Sequence, residues 1–192
     1  STIASHKQQG DEWVVTFNGA ITAIGNGGST GAFEGCTTLK SIIIPDSVTT
    51  LYKYAFYGCS NLESVTLSAN LEQIDYQSFF DCTSLTEITI PASVSQIDEY
   101  AFYNCTSLTK INYNAISLAD LSGENFAFSY CGQSGDGITV SVGSSVTKIP
   151  AYLFYPYSSS SYAPKIVAVE FAEGSNCQSI GDRAFYNCIG LT

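Results

Sequence analysis

Apolar and aromatic residues return along this chain at a fixed spacing. An interval of 23 residues separates successive members of two sets, which are Phe56, Phe79 and Phe102, and Cys59, Cys82 and Cys105. A unit of this length is too short to enclose a hydrophobic core by itself, so neighbouring units must share one. The pattern therefore predicts a repeat solenoid, and residues 48–108 are its most regular part.

A short run in each unit alternates between apolar and other residues, as a strand with one buried face does. The residues predicted to face inward are Val15/Phe17, Ile42/Ile44, Val65/Leu67, Ile88/Ile90, Ile111/Tyr113, Val140/Val142 and Val169/Phe171. Two prolines, Pro45 and Pro91, directly follow their strands, where a missing N–H helps to end the pairing. Seven parallel strands spaced by about 4.8 Å predict a stack on the order of 30 Å long.

The whole chain, 1–192, is interpreted as one solenoid domain. Residues 1–24 are expected to form an N-terminal cap with the first strand, 25–113 the regular repeats, and 114–192 irregular repeats. Insertions at 114–137 and 155–165 interrupt the rhythm, and the last coil stops before its strand. An unfinished coil exposes an edge of the core, so we expect further chain or another molecule to cover it, including a second copy stacked end to end.

Two columns of the repeat resemble binding chemistry but are expected to be scaffold. The phenylalanine column is predicted to be buried and contains Phe33, Phe56, Phe79, Phe102, Phe128, Phe154 and Phe185. The cysteine column contains Cys36, Cys59, Cys82, Cys105, Cys131 and Cys188, and Cys177 takes a small apolar position. Parallel stacking spaces equivalent atoms by about 4.8 Å, whereas a disulfide needs Cβ atoms about 3.8 Å apart. Buried free thiols are therefore predicted, without a metal or other cofactor, because zinc needs convergent ligands.

The composition of the chain excludes some classes of binding partner. The net charge is −10, from 17 acidic and 7 basic residues, which disfavours nucleic acid. No apolar run approaches the roughly 18 residues of a spanning helix, so this segment is not expected to insert into a membrane. The acidic, methionine-free composition, rich in Ser, Thr, Tyr and Gly, is typical of an exported protein.

The unit LTEITIPASVSQIDEYAFYNCTS, at 85–107, resembles the BspA-like leucine-rich repeat family of bacterial and protist surface proteins. The resemblance implies a right-handed solenoid with a parallel sheet on one face and turns or short helical segments on the other. It also implies export to the cell surface and a role in adhesion or other recognition. Members differ in partner, so the resemblance assigns no binding residue.

The sequence gives only weak signals of a catalytic site. His6 is the only histidine, and it precedes the first repeat. Asp75 and Asp98 share a turn column, where solvated carboxylates are expected. The glycine-rich segment 25–31 lacks the spacing of a nucleotide-binding loop. The sequence predicts a protein that is not an enzyme, and an enzyme of unknown class is kept as a remote alternative.

Two surfaces remain as candidates for binding an extracellular protein or glycan. The first is the outward face of the strands, with Thr16, Ser41, Ser64, Thr66, Glu87, Thr89, Lys110, Asn112, Thr139, Ser141 and Glu170. The second is the insertion at 155–162, whose tyrosines are Tyr155, Tyr157 and Tyr162. Tyrosine with serine is the composition of adaptable binding loops. The alternative is a structural spacer within a longer surface protein.

Overall fold

The computed structural model describes the backbone of residues 3–9, 12–17, 20–157, 160–188 and 190–191, and the side chains of 20–157, 161–188 and 190–191. The strands in this part of the chain are β1 (Ile3–Gln9), β2 (Glu12–Phe17), β3 (Ala23–Ile24), β4 (Ser41–Ile43), β5 (Thr50–Leu51), β6 (Ser64–Thr66), β7 (Gln73–Ile74), β8 (Glu87–Ile90), β9 (Gln96–Ile97), β10 (Lys110–Tyr113), β11 (Ile138–Val142), β12 (Lys148–Ile149), β13 (Ile166–Phe171) and β14 (Ser179–Ile180).

The main sheet confirms the predicted solenoid. Its six strands run in the order β13-β11-β10-β8-β6-β4, and neighbouring strands pair in parallel. The register matches the repeat, since Lys110 lies opposite Glu87 on one side and Thr139 on the other. Five spacings of about 4.8 Å give this sheet a height of about 24 Å.

The predicted seventh strand of the stack is wrong. Val15 and Phe17 lie in β2, which pairs antiparallel with β1 in a separate two-stranded sheet. The repeat pattern predicted β4 as the backbone partner of β2, but the partner of β2 is the preceding strand, β1. Sequence reasoning missed β1 because the polar residues between Ile3 and Gln9 give little strand signal.

A second line of two-residue strands follows the main sheet along the stack. One parallel sheet has the order β3-β5-β7-β9, and β12 pairs with β14 in another. The rest of each coil consists of turns. The predicted helical segments are reduced, within the described residues, to one 3-10 turn at Ser160–Tyr162 in the second insertion.

The phenylalanine column forms the centre of the core. The predicted burial is confirmed for its five inner members, whereas Phe33 and Phe185 at its two ends are only partly buried. Ring centroids of successive members are 4.8–5.2 Å apart from Phe33 to Phe185. Both insertions leave this spacing intact, because backbone hydrogen bonds continue on either side of them. Phe102 N donates to the Ala127 oxygen at 2.8 Å, and Phe154 N donates to the Ala184 oxygen at 2.9 Å.

Left-handed residues bracket most of these phenylalanines. Positive φ recurs two positions before the ring, at Tyr54, Gln77, Tyr100, Phe126, Tyr152 and Arg183, and two positions after it, at Gly35, Gly58, Asp81, Asn104, Tyr130 and Asn187. Side chains other than glycine adopt this conformation at a cost. Coil-to-coil hydrogen bonds at these residues, such as Tyr54 N to Tyr76 O at 3.0 Å, hold it in place.

The C-terminal coil leaves apolar side chains at the surface. Ile180, Tyr186 and Leu191 are exposed, since no described coil packs over them. This exposure is compatible with the predicted end-to-end association, which stays a prediction.

We expect the substitution Phe79→Ala to lower the free energy of unfolding by about 3–5 kcal/mol, because the ring is fully buried between two stacked neighbours. Urea denaturation followed by circular dichroism measures the change. Ile43→Ala is the matched control, since Ile43 is 78% exposed, and its effect should stay within about 0.5 kcal/mol. Equal losses of unfolding free energy for the two substitutions would contradict a special contribution of the phenylalanine column to stability.

Candidate functional site

The outward face of the main sheet carries two rows of side chains. The first row contains Ser41, Ser64, Glu87, Lys110, Thr139 and Ala168, and the second contains Ile43, Thr66, Thr89, Asn112, Ser141 and Glu170. The structure thus places ten of the eleven predicted strand-face residues together. Thr16 lies in β2, outside this sheet, and its side chain falls outside the described residues.

Polar contacts tie the middle of this face together. The Asn112 amide donates to Glu87 Oε1 at 2.6 Å and to Thr89 Oγ1 at 3.1 Å. Lys110 Nζ lies 3.9 Å from the same Glu87 oxygen, and both charged side chains are about half exposed. Exposed pairs of this kind contribute little to stability, so these groups remain available to a ligand.

A groove of about 460 Å³ opens where the carboxyl ends of β10, β11 and β13 meet this face. Four members of the second row line it, which are Thr89, Asn112, Ser141 and Glu170. They contribute hydroxyl, amide and carboxylate groups. Parallel pairing places adjacent members about 4.8 Å apart, so the groove presents a regular line of hydrogen-bonding groups.

Asn114 and Gly143 complete the wall of the groove, and sequence reasoning missed both. They directly follow β10 and β11, at the repeat position that Pro45 and Pro91 occupy in regular coils. A Cβ at position 143 would collide with Oδ1 of Asn114, so glycine provides the space for the amide. Loss of the proline after a strand was the available sequence signal.

Phe171 gives the groove an aromatic rim. The sequence pattern predicted that it faces the core, and its register opposite Val142 agrees with an inward position. The ring is nevertheless 45% exposed, because β13 is the last strand of the sheet and no following strand covers it. Phe171 is therefore an exposed aromatic residue at this edge of the sheet.

The second insertion is a closed excursion anchored to the preceding coil. Tyr130 N donates to the Tyr162 oxygen at 2.7 Å, and Tyr157 N donates to Ser129 Oγ at 2.9 Å. In a regular coil, Asp81 N donates to the Tyr103 oxygen in the same way. Tyr162 thus restores the repeat. Tyr155 directly follows Phe154, as Tyr186 follows Phe185, and the rings of the two tyrosines are 5.4 Å apart.

Tyr157 and Tyr162 join three earlier rings in an aromatic cluster, defined as Tyr100, Phe126, Tyr130, Tyr157 and Tyr162. Tyr157 lies 5.1 Å from Phe126 and 5.7 Å from Tyr162 between centroids. Burial raises the pKa of the Tyr100 hydroxyl, with Tyr157 as a further cause. Tyr157 remains 42% exposed and Tyr162 37%. The cluster is therefore packed against the solenoid on one side and open to solvent on the other.

The cysteine column consists of free thiols and confirms the predicted burial from Cys59 onward. The sulfur atoms of Cys59, Cys82, Cys105 and Cys131 lie 3.0–3.3 Å from the carbonyl oxygens of Phe33, Phe56, Phe79 and Phe102. Each thiol therefore donates to a phenylalanine on the preceding coil. Burial raises the pKa of Cys59 to about 11 and that of Cys188 to about 12, so these thiols are protonated at neutral pH.

The other candidate groups do not assemble a catalytic centre in the described part of the chain. Asp98 accepts from Gln96 Nε2 at 2.8 Å, and its pKa is raised by partial burial and by the neighbouring Asp75. His6 lies in β1 opposite Val15, and its side chain falls outside the described residues.

Metal and membrane signals are also missing from the described residues. No three His, Cys, Asp or Glu side chains among them converge on a common point. No helix formed by these residues has the length and apolar character needed to cross a membrane.

Comparison with protein families gives one match that spans nearly the whole chain. The family model described as BspA type leucine rich repeat region matches in 6 copies, over residues 14–133 and 121–192. A search of curated proteins gave no significant match.

Solved structures with a similar fold are leucine-rich repeat proteins. The leucine rich repeat protein of T. pallidum is 20% identical, with a TM-score of 0.59 over 98% of this chain and 87% of that chain. A leucine rich cell surface protein from Faecalibacterium prausnitzii is 23% identical, with a TM-score of 0.47 over 97% of this chain and 40% of that one. These identities support similarity of fold alone.

We expect two of the seven cysteines to react in the folded protein. Cys36 and Cys177 are partly exposed, whereas the other five thiols are buried. At pH 8, Ellman's reagent should titrate about two thiols quickly and the remainder only in denaturant. The double substitution Cys36→Ala with Cys177→Ala should abolish the fast phase, and a fast phase that persists would contradict the burial of the column.

Proposed function

Because the chain belongs to the BspA-type leucine-rich repeat family, we propose that it is a non-catalytic recognition module of a cell-surface or secreted protein, and that it binds a glycan in the strand-face groove. The observation that carries this proposal is the line of Thr89, Asn112, Ser141 and Glu170 beside the exposed ring of Phe171. Repeat solenoids use extended surfaces of this kind for binding.

The chemistry of the groove favours a sugar over an apolar ligand. A sugar ring presents hydroxyl groups that both donate and accept, which suits an alternation of amide, hydroxyl and carboxylate groups. Phe171 offers a flat apolar surface to the carbon–hydrogen face of such a ring. The groove is open and carries hydroxyl, amide and carboxylate groups along its length, whereas typical small-molecule pockets are enclosed and have few polar groups.

Charge also limits the ligand. Glu170 is the one carboxylate among the described residues that line the groove, and the chain as a whole carries −10. An anionic glycan would be repelled, so a neutral or amine-bearing glycan is the ligand class that this proposal specifies.

A glycan array, followed by calorimetry on the best ligand, tests the proposal. We expect Asn112→Ala and Glu170→Gln each to weaken binding about tenfold. The first removes a hydrogen bond worth about 1 kcal/mol or more, and the second replaces a charge-assisted hydrogen bond by a weaker neutral one. Phe171→Ala should weaken it by a similar factor through lost ring contact.

Ser64→Ala is the control for these variants, since Ser64 lies on the same sheet face outside the groove. Its affinity should equal that of the unsubstituted protein. Weakening by Ser64→Ala alone would move the site away from the groove. Absence of binding by well-folded protein to glycans and to extracellular matrix proteins would favour the structural spacer.

A second candidate function is contact with a protein partner through the aromatic cluster. Its supporting observation is the exposure of Tyr157 and Tyr162 on an insertion that is anchored at both ends. Tyrosine supplies contact area at low entropic cost, and anchored loops on rigid scaffolds commonly carry recognition.

For this second function, we expect Tyr157→Ser to weaken binding of a captured matrix protein by about tenfold or more, as truncation of an interface anchor does. Surface plasmon resonance measures the change. Tyr186→Ser is the matched control, because Tyr186 is equally exposed but lies outside the cluster. If both substitutions leave binding unchanged, the cluster has a packing role only.

A further inference from the structure

The line of short strands is broken at one place. The parallel sheet that begins with β3 ends at β9. Within the described residues, the next short strand, β12, pairs with β14 alone. The coil that contains β10 therefore contributes to the main sheet but not to this line. Its missing short strand corresponds to the first insertion, at the stretch that follows Tyr113.

The break leaves backbone acceptors on the edge of β9. In regular coils, the carbonyl oxygens of Glu72 and Ile74 accept from Ser95 N at 2.9 Å and Asp98 N at 2.9 Å. The equivalent acceptors one coil later are the oxygens of Ser95 and Ile97. The Asn125 side chain donates to Ile97 at 2.9 Å, whereas no backbone N–H of the described residues donates to Ser95.

The facing coil is adapted to the missing strand. Gly181 N donates to the Ile149 oxygen at 2.8 Å, as Asp98 N does to Ile74. The residue at this position in the β12 coil is Pro150, which has no N–H to donate to a preceding strand. On both sides of the break, therefore, part of the regular series of backbone hydrogen bonds between coils is missing.

An open slot of about 440 Å³ lies along the β9 edge. Its opposite wall is the segment 118–122, which is fixed to the β12 coil. Asp120 accepts from Lys148 Nζ at 2.6 Å and from Ala151 N at 2.7 Å, and Leu121 N donates to the Ala151 oxygen at 3.1 Å. The slot is thus bounded by two anchored walls.

The charge of the slot selects its occupant. Asp98, Glu99 and Asp120 line it, and the salt bridge to Lys148 engages only Asp120. Asp98 is partly buried beside Asp75, so its carboxylate has lost solvent and faces a like charge. A cation placed at Asp98 would offset both effects, because an opposite charge favours the ionised carboxylate.

We propose that this slot binds an extended, lysine- or arginine-bearing segment of a partner protein, which adds a strand to β9. The segment donates a backbone N–H to the Ser95 oxygen and places its cationic side chain against Asp98 and Glu99. Strand addition to an open sheet edge is a general mode of peptide recognition, in which main-chain hydrogen bonds provide affinity and side-chain sites provide specificity. This site is separate from the strand-face groove.

The test uses the whole chain and three capped, fluorescein-labelled hexapeptides in anisotropy titrations. The first alternates valine and lysine, the second replaces lysine by glutamate, and the third keeps lysine but carries N-methyl groups on alternate amides. We expect only the first to bind, and its affinity to fall as salt rises. Equal binding of the first and third peptides would overturn strand addition, and equal binding of the first and second would overturn the cationic site.

Two substitutions locate the peptide. Asp98→Asn should weaken it about tenfold, because it removes a charge-assisted hydrogen bond, and Ala119→Trp should block it by filling the slot. The matched controls are Asp136→Asn and Ala69→Trp, at exposed positions outside the slot. Circular dichroism verifies folding, and the peptide comparison stands if Ala119→Trp does not fold.

The remaining outcomes also decide the proposal. No binding of the lysine peptide to folded protein would overturn it, as would binding that Asp98→Asn leaves unchanged. Loss of binding on Glu170→Gln would place the peptide in the strand-face groove and overturn it as well.

Discussion

The distance between successive coils, set at about 4.8 Å by parallel backbone pairing, constrains nearly every side chain of this protein. Stacked rings fit that distance, since centroids in the phenylalanine column are 4.8–5.2 Å apart. The column cysteines fit it too, because their thiols reach the carbonyl of the preceding coil. The residue type at a given position therefore depends more on its contacts with the equivalent residues of the two adjacent coils than on its neighbours in sequence.

The same constraint explains what the sequence could predict. Alternation at Ile88 and Ile90 gave a strand with the correct buried face, and the 23-residue interval gave the parallel register. The burial of Phe79 and Cys82 followed from their repetition. These features depend on the recurrence of the same residue types at fixed intervals, and a single sequence shows that recurrence directly.

Other features depend on contacts that the repeat does not encode. Tyr54 and Tyr100 adopt positive φ because hydrogen bonds between coils hold them there, and no local preference of tyrosine announces it. The groove arises where the ends of three strands meet, so Asn114 and Gly143 became visible only in three dimensions. The exposure of Phe171 was not predicted, because it depends on which strand is the last in the sheet.

The interrupted line of short strands also affects how the solenoid responds to force. The main sheet is continuous from β4 to β13, whereas on the short-strand side β9 and β12 do not pair, and side-chain hydrogen bonds of Asn125 and Asp120 replace part of that pairing. We therefore expect the short-strand side to be less stiff than the main sheet at this level, and bending of the solenoid to concentrate at the coil that contains β10.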